Sequence, residues 1–171
     1  MQMGEHRFQE ALPEYETALS LDRNLTSALN GLGICKLMTG ALQEVIPLME
    51  QAIRLSPRDP QIGLWYWQIG RIHLLQWRIG EALIWLEKAR SHSPAHSIIR
   101  ASLASAYALD GETDRAAVEL TEARRLSGDD RYSSLVRLRA RGYYGVMVPK
   151  IRALAEATYF AGLRKAGMPE E

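Results

Sequence analysis

Four histidines and one cysteine are the side chains of this 171-residue chain that could ligate a metal ion or attack a substrate: His6, His73, His92, His96 and Cys35. His92 and His96 have the four-residue spacing of a helical metal site, but Pro94 lies between them and breaks the helix that this spacing requires. Cys35 lies in a predicted helix with no base beside it, which is typical of a core residue. We therefore predict no catalytic site, no metal site and no cofactor, and hence no enzyme.

The composition predicts an intracellular protein without a strong net charge. Lysine and arginine number 21 against 20 aspartates and glutamates, so the formal net charge of +1 gives no general attraction to nucleic acid or anionic lipid. The single cysteine cannot form an internal disulfide, which fits the reducing cytoplasm. No apolar run approaches the roughly 20 residues that cross a bilayer, and the N-terminus lacks the pattern of a signal peptide. We expect a cytoplasmic chain without a membrane segment.

A small residue recurs at a fixed spacing along the chain. Alanine stands at four such positions: Ala18, Ala52, Ala89 and Ala123. Seven residues before each of them stands a second apolar residue, at intervals of 34, 37 and 34 residues: Ala11, Val45, Ala82 and Ala116. Small residues at this spacing let a neighbouring helix approach, because larger side chains would force the pair apart. A further apolar set precedes each complete unit, so each unit is predicted to hold two amphipathic helices, A and B.

This period of 34 residues with two helices per unit resembles the tetratricopeptide repeat (TPR). The resemblance implies an all-α fold, a TPR solenoid of antiparallel helix pairs with about three and a half repeats and two further C-terminal helices. Residues 1–128 would form the array, with a half repeat at 1–25 and repeats at 26–59, 60–94 and 95–128, and residues 129–171 a helical extension or cap. Since the half repeat has a helix B without its helix A, we expect the chain to be the C-terminal fragment of a longer protein.

Two helices are predicted after the last repeat. The first is expected to be capped by Asp129 or Asp130 and closed by Gly142, and the second to run from Pro149 to Gly167. The second helix is apolar on more than one side, which is typical of a helix that is buried on two faces. One face could cap the last repeat, and the other could meet a partner or a second copy of the chain. The residues that would mediate this self-association are Tyr159, Phe160 and Leu163.

The C-terminal segment EATYFAGLRKAGMPEE, preceded by GDDRYSSLVRLRA, resembles the C-terminal end of bacterial TPR-bearing class III adenylate and guanylate cyclases. In that family a cyclase domain or a DNA-binding regulatory domain lies upstream of the TPR array. The resemblance implies a regulatory or scaffolding tail of a larger bacterial signalling protein. It does not imply that this chain forms a cyclic nucleotide, because the family's metal-binding aspartates belong to a domain that has no counterpart here.

In TPR arrays the A helices line a concave groove, and the repeat register assigns these residues to it: Asn30, Ile34, Leu37, Met38, Trp67, Arg71, Leu74, Ala101, Ser105 and Ala108. The lysine and asparagine clamp with which chaperone-binding TPR domains hold a carboxylate is absent, since Asn30 and Ile34 stand in its place. The predicted groove is apolar with one indole and one guanidinium, which suits an amphipathic helix. Trp67 and Arg71, one helical turn apart, could anchor that helix, although Trp67 could equally pack on its neighbours.

A run of basic residues spans the end of the array and the C-terminal extension. Eight lysines or arginines stand here against two aspartates: Arg124, Arg125, Arg131, Arg137, Arg139, Arg141, Lys150 and Arg152. With Tyr132, Tyr143 and Tyr144 nearby, these side chains could contact phosphate or an acidic partner. Such a run is ordinarily a solvated helix face with intrachain ion pairs, and the near-zero net charge gives no reason to predict nucleic-acid binding.

The sequence therefore predicts a protein-interaction module. Its partner is expected to be a protein or peptide, an amphipathic helix in the concave groove. The alternative is an assembly element that forms a homodimer through the C-terminal helix.

Overall fold

The computed structural model describes residues 3–141 and 147–171. Within these residues the chain is helical and contains no strand, which confirms the predicted all-α fold. The helices are α1 (Met3–Leu21), α2 (Thr26–Thr39), α3 (Leu42–Leu55), α4 (Ile62–Leu75), α5 (Ile79–His92), α6 (Ser97–Asp110), α7 (Thr113–Ser127), α8 (Leu135–Ala140), α9 (Pro149–Ala155) and α10 (Ala161–Lys165), and a π-helical turn, Glu156–Phe160, joins the last two. No helix in these two ranges has the length and apolar character needed to span a bilayer.

Six of the helices form three pairs, α2 with α3, α4 with α5 and α6 with α7, each made of a helix A and a helix B. The small residues of each helix B have no exposed surface: Val45, Ala52, Ala82, Ala89, Ala116 and Ala123. Gly70 shows how closely the helices approach, because a Cβ there would lie 2.7 Å from Leu86 Cγ and 3.2 Å from the Ala82 carbonyl oxygen. The recurring small residues are therefore the places at which the helices of a pair meet.

Helix α1 is a B helix that packs against α2 without a helix A of its own in the described chain. Tyr15 of α1 fills the space above Gly31 of α2. Phe8 and Leu19 are partly buried against the core. From residue 7 onwards no residue of α1 is fully buried, because only one side of the helix has a neighbour.

The turn between helix A and helix B has a left-handed backbone in all three pairs. Gly40 and Gly111 have φ angles of 97° and 94°, a conformation that glycine adopts without strain. In the middle pair Trp77 takes this place with a φ of 60°, where a bulky side chain strains the backbone. The indole of Trp77 is 55% exposed. The middle turn thus displays an aromatic side chain that the other two turns lack.

The short helix α8 begins later than the sequence predicts. Its N-cap is Ser134, whose hydroxyl accepts a hydrogen bond from the Arg137 backbone N–H at 3.3 Å. The predicted cap at Asp129 or Asp130 is wrong, because Asp129 accepts a hydrogen bond from the N–H two residues later and closes a turn before the helix starts. Gly142, the predicted end of this helix, lies outside the described residues.

Helix α9, the π-helical turn and α10 form one continuous helix over residues 149–165, which we call the C-terminal helix. It begins at Pro149, as predicted, and is followed by Gly167 with a φ of 95°. Thr158, Tyr159 and Phe160 are consecutive, and all three are buried. Consecutive residues of a helix point about 100° apart, so three of them span two faces. The C-terminal helix is therefore buried on two faces, as its apolar pattern predicts.

Candidate interaction site on the concave face

We call the face of α2, α4 and α6 that carries the predicted groove residues the concave face. One half of this face is buried: Leu37, Met38, Leu74, Ala101, Ser105 and Ala108. The other half is only partly buried and consists of Asn30, Ile34, Trp67 and Arg71. The expectation that all of these residues line an accessible groove is wrong for the buried half, because the chain itself covers it.

The C-terminal helix and the residues before it cover the buried half of the concave face. The Ser105 hydroxyl donates a hydrogen bond to the Tyr159 carbonyl oxygen at 2.9 Å, within the core. At the other end, the Val148 backbone N–H donates to the Met38 carbonyl oxygen at 3.4 Å. Between these points the helix also packs against α4. A groove that the sequence predicts to be open for a partner therefore already holds a helix of the same chain.

The C-terminal helix meets α6 in a backbone contact at Gly162. A Cβ at this position would lie 2.5 Å from the Ser105 carbonyl oxygen and 2.9 Å from the Ser105 carbonyl carbon. Helix α6 presents only small side chains here, with Ala101 and Ala108 on either side of Ser105, so the two backbones can approach. The sequence alone does not assign a role to Gly162, although a glycine inside a predicted helix often marks a close packing contact.

The residues predicted for self-association are not on the surface of a single chain. Tyr159, Phe160 and Leu163 are 6%, 1% and 0% exposed. On the second face of the helix the Arg139 guanidinium carbon lies 4.8 Å from the centroid of the Phe160 ring, and Arg139 also pairs with Glu156 at 2.7 Å. The expectation of a free apolar face is therefore wrong, because the concave face covers one side of the helix and the Arg139 side chain of α8 lies over Phe160 on the other.

The open half of the concave face centres on Trp67. Its indole N–H donates a hydrogen bond to the Ser102 hydroxyl at 2.9 Å, and that hydroxyl donates in turn to the Ile98 carbonyl oxygen at 2.9 Å. The Arg71 guanidinium carbon lies 5.3 Å from the centroid of the indole, within the range of a cation–π interaction. The indole is therefore held in one orientation with part of its surface exposed. Ser102 could not be predicted from local sequence, because it contacts Trp67 from 35 residues away.

The C-terminal helix forms one wall of a small cleft beside Trp67 and Arg71. The remaining lining residues are Leu74, Leu75, Ser102, Ala155 and Tyr159. Among the described residues Arg71 has the Trp67 ring as its contact and no carboxylate within ion-pair distance. Its positive charge is therefore available to a molecule that binds on this half of the face.

The residue before Trp67 in the sequence belongs to the core. Tyr66 is 5% exposed, and its ring centroid lies 5.7 Å from that of Trp85. The Lys88 ammonium lies 4.3 Å above the same ring. Neighbouring aromatic residues of α4 thus have different surroundings, and only Trp67 lies at the open half of the concave face.

Most cations of the basic run between residues 124 and 152 have a partner within the chain. The ion pairs are those of Arg125 with Glu122, Arg131 and Arg141 with Asp129, Arg137 with Asp130, and Arg139 with Glu156. Arg124 and Arg152 donate hydrogen bonds to the carbonyl oxygens of Tyr132 and Met147. Tyr143 and Tyr144 lie outside the described residues. The arginines of this run are therefore engaged in intrachain contacts.

The residues that could carry catalysis or bind a metal are dispersed. Burial raises the pKa of the Cys35 thiol, so this side chain is protonated and unreactive at neutral pH. His92 ends α5 and His96 precedes α6, so they lie on different elements. In the described part of the chain, no group of three histidine, cysteine, aspartate or glutamate side chains could hold a metal ion.

No family model and no curated protein matches the sequence, whereas solved structures match the fold. The alignment with a structure of MamA spans 96% of this chain and 95% of the MamA chain, with a TM-score of 0.64 and 20% sequence identity. YrrB is described as a TPR protein with an unusual peptide-binding site. Its alignment spans 88% of this chain and 76% of the YrrB chain, with a TM-score of 0.58 and 20% sequence identity. The alignment with a thermophilic TPR protein of Thermus thermophilus spans 93% of this chain and 92% of that protein's chain, with a TM-score of 0.60 and 21% sequence identity. These likenesses show that the chain has the TPR fold.

Proposed function

We propose that this chain is a non-catalytic interaction module that binds a protein or peptide segment through the open half of its concave face. The main support is that the concave face already accommodates one helix, the C-terminal helix, and leaves Trp67 and Arg71 partly exposed beside it. A rigidly held indole next to an arginine is the type of anchor that dominates the energy of protein interfaces.

The partner that fits this surface best is an amphipathic helix. Its apolar side chains, three or four residues apart, would lie on Ile34 and the Trp67 indole. A carboxylate of the partner would pair with Arg71, which has no acidic partner among the described residues. The Asn30 side-chain amide would supply hydrogen bonds to polar groups at the edge of the contact.

In this proposal the C-terminal helix stays in place and forms one wall of the site. Its displacement would expose Phe160 and Leu163, which are almost completely buried, and would be strongly unfavourable. Ala155 and Tyr159 would then contact the partner from this wall. The partner segment therefore lies beside the C-terminal helix and does not replace it.

Trp67→Ala and Arg71→Ala are each expected to weaken partner binding by roughly 1–2 kcal/mol or more without unfolding the array. Neither side chain is fully buried, and the Ser102 hydroxyl keeps its hydrogen bond to the Ile98 carbonyl oxygen when the indole is removed. Isothermal titration calorimetry with the helical segment of a captured partner measures the affinity, and urea unfolding measures the stability.

Tyr66→Ala is the matched control, because Tyr66 is an aromatic residue of the same helix that points into the core. It should reduce the free energy of unfolding by about 3 kcal/mol or more. If Trp67→Ala destabilises the array as much as Tyr66→Ala does, Trp67 is structural and the open half of the concave face is not the binding site.

The same proposal places this module in the cytoplasm, as the regulatory or scaffolding tail of a larger bacterial signalling protein such as an adenylate or guanylate cyclase. The support is the resemblance of residues 128–140 and 156–171 to the C-terminal end of those cyclases. The coding sequence upstream of this chain tests the proposal. A cyclase domain or a DNA-binding regulatory domain there would support it, and an unrelated domain would contradict it.

The alternative function, homodimerisation through Tyr159, Phe160 and Leu163, requires two copies to exchange their C-terminal helices, because these side chains are buried within one chain. After an exchange, the contact of Gly162 with Ser105 would form between two chains instead of within one. Binding to the open half of the concave face needs no such rearrangement and is therefore the function that we favour.

A further inference from the structure

A polar side chain of helix A lies between two consecutive B helices at the same repeat position in all three pairs. These side chains are Lys36, His73 and Tyr107, which are 37 and 34 residues apart, as the repeats are. The flanking positions are equivalent as well. Glu16 and Glu44 pair with Lys36, and Glu87 and Arg115 contact Tyr107. The repeat register puts Glu50 and Glu81 at the same positions beside His73, where their charges act on the imidazole. The molecule thus contains three equivalent clefts, which we number in chain order.

The first and third clefts each contain a cation that the chain itself provides. In the first cleft, Lys36 Nζ lies 2.9 Å from Glu44 Oε2 and 3.8 Å from Glu16 Oε1. In the third cleft, a guanidinium nitrogen of Arg115 lies 2.8 Å from Glu87 Oε1. The carboxylates of both clefts therefore have an intrachain counter-charge.

In the second cleft neither carboxylate is in an ion pair with a described residue. Arg78 lies close enough to His73 for its charge to act on the imidazole, but its guanidinium hydrogen-bonds to the Gln76 side chain. Among the described residues, no ammonium or guanidinium lies within ion-pair distance of Glu50 or Glu81. His73 stands where the first cleft has Lys36, and its Nδ1 is buried without a hydrogen-bond partner. Burial, and then the charge of Arg78, lowers the pKa of His73 although the two glutamates oppose this. The imidazole is therefore neutral at neutral pH and does not balance the carboxylates.

Two exposed apolar side chains lie next to Glu81 in the sequence. Ile84, three residues later on α5, is 66% exposed, and Trp77, four residues earlier in the turn, is 55% exposed. Trp77 is also held at a φ of 60°, a strained conformation that the other two turns avoid with glycine. Exposed apolar side chains beside unpaired charges are typical of a surface that contacts another protein.

We propose that the second cleft is a docking surface for a basic segment of a partner protein. A lysine or arginine of this segment enters beside the His73 imidazole and pairs with Glu50 and Glu81. Apolar side chains next to that cation pack on Ile84 and Trp77. The partner is thus defined by one cation flanked by apolar residues.

The second cleft is a different surface from the open half of the concave face. His73 follows Arg71 by two residues, which places the two side chains about 200° apart around α4. The surfaces therefore lie on opposite sides of this helix, and the proposal for the second cleft does not depend on the function proposed for the concave face.

A lysine introduced at position 73 tests whether the second cleft can bind a cation. His73→Lys is expected to raise Tm by about 2–4 °C, because it recreates the ion pairs of the first cleft. This rise should vanish when Glu50→Gln and Glu81→Gln are added. His73→Gln is polar but uncharged and serves as the control, with no rise expected. An equal rise with glutamine, or a lower Tm with lysine, would overturn the proposal.

Two synthetic peptides test docking to the whole protein. Both form a short amphipathic helix with leucines on one face, and they differ at one central position between lysine and norleucine, which lacks the charge. The lysine peptide is expected to bind about tenfold more tightly, as followed by amide chemical shifts. The preference should disappear in the Glu50→Gln, Glu81→Gln variant and in His73→Lys, and persist in Arg71→Ala.

Three outcomes of the peptide experiment would overturn the proposal. The first is the absence of a lysine-dependent shift at millimolar peptide. The second is a preference for lysine that survives Glu50→Gln and Glu81→Gln. The third is a set of shifts around Trp67 instead of Ile84, which would assign the peptide to the concave face.

Discussion

Replacing Gly162 with alanine should reduce the free energy of unfolding by about 2–3 kcal/mol. The new Cβ would overlap Ser105 Oγ and lie 2.5 Å from the Ser105 carbonyl oxygen. Because this carbonyl belongs to the backbone of α6 and cannot rotate away, the C-terminal helix must shift and lose part of the packing of Tyr159 and Leu163. Urea unfolding gives the free energy, and hydrogen exchange of amides 150–165 shows whether the loss is confined to the C-terminal helix.

Gly80→Ala is the matched control for this substitution. A Cβ at Gly80, in the first turn of α5, meets no other atom within 4 Å. Alanine also favours a helix more than glycine does, so this variant should be as stable as the wild type or more stable by up to about 1 kcal/mol. A Gly162→Ala variant with unchanged stability would show that the C-terminal helix does not lie against α6.

Replacing Glu119 with glutamine should lower the free energy of unfolding by about 2–4 kcal/mol. The Glu119 carboxylate on α7 is 5% exposed and pairs with Arg90 of α5 and, at 3.0 Å, with Arg100 of α6. Glutamine keeps the size of the side chain but removes its charge, so two guanidinium groups would face a site without a counter-charge. The loss is moderated because both arginines keep some contact with water. Thermal and urea unfolding measure the change.

Glu122→Gln is the control on the same helix. It removes the ion pair with Arg125, whose two side chains lie at the surface. Water and salt screen such a pair, so the stability should change little. If Glu119→Gln and Glu122→Gln have the same small effect, the carboxylate of Glu119 does not hold α5, α6 and α7 together.

The repeats could be predicted from the sequence because their determinants recur at short range. Ala82 and Ala89 are seven residues apart on one helix, and both are fully buried against the paired helix A. Gly40 and Gly111 mark turns whose left-handed backbone favours glycine. Pro149 starts the C-terminal helix for an equally local reason, since its ring fixes a helical φ and its missing N–H is not needed there.

The occupation of the concave face could not be predicted, because it depends on residues that are far apart in the sequence. Ser105 and Tyr159 form their hydrogen bond across 54 residues. The sequence pattern around Ser105 and Leu74 predicts an open groove. The pattern around Tyr159 and Leu163 predicts an apolar helix face without a partner in the chain. The structure brings the two patterns together, so each supplies the partner that the other was predicted to find outside the chain.

The start of α8 was hard to predict for a different reason. Asp129, Asp130 and Ser134 are all good N-cap residues, and the local sequence does not choose between them. The chain's C-terminal tail favours Ser134, because the first N–H groups of α8 donate to the tail: that of Leu135 to the Pro169 carbonyl oxygen at 2.9 Å and that of Val136 to the Glu170 carbonyl oxygen at 3.0 Å. A distant segment therefore selects one of several locally adequate caps.

Site-specific photo-cross-linking tests most directly the central claim that the open half of the concave face binds a protein segment. Benzoylphenylalanine replaces either Ile34, on that half, or Val118, which is 63% exposed on α7. We predict a cross-linked partner protein from position 34 that is lost when Trp67→Ala is added, and none from position 118. Cross-links from position 118 alone, no product at position 34, or a product there that survives Trp67→Ala would contradict the claim.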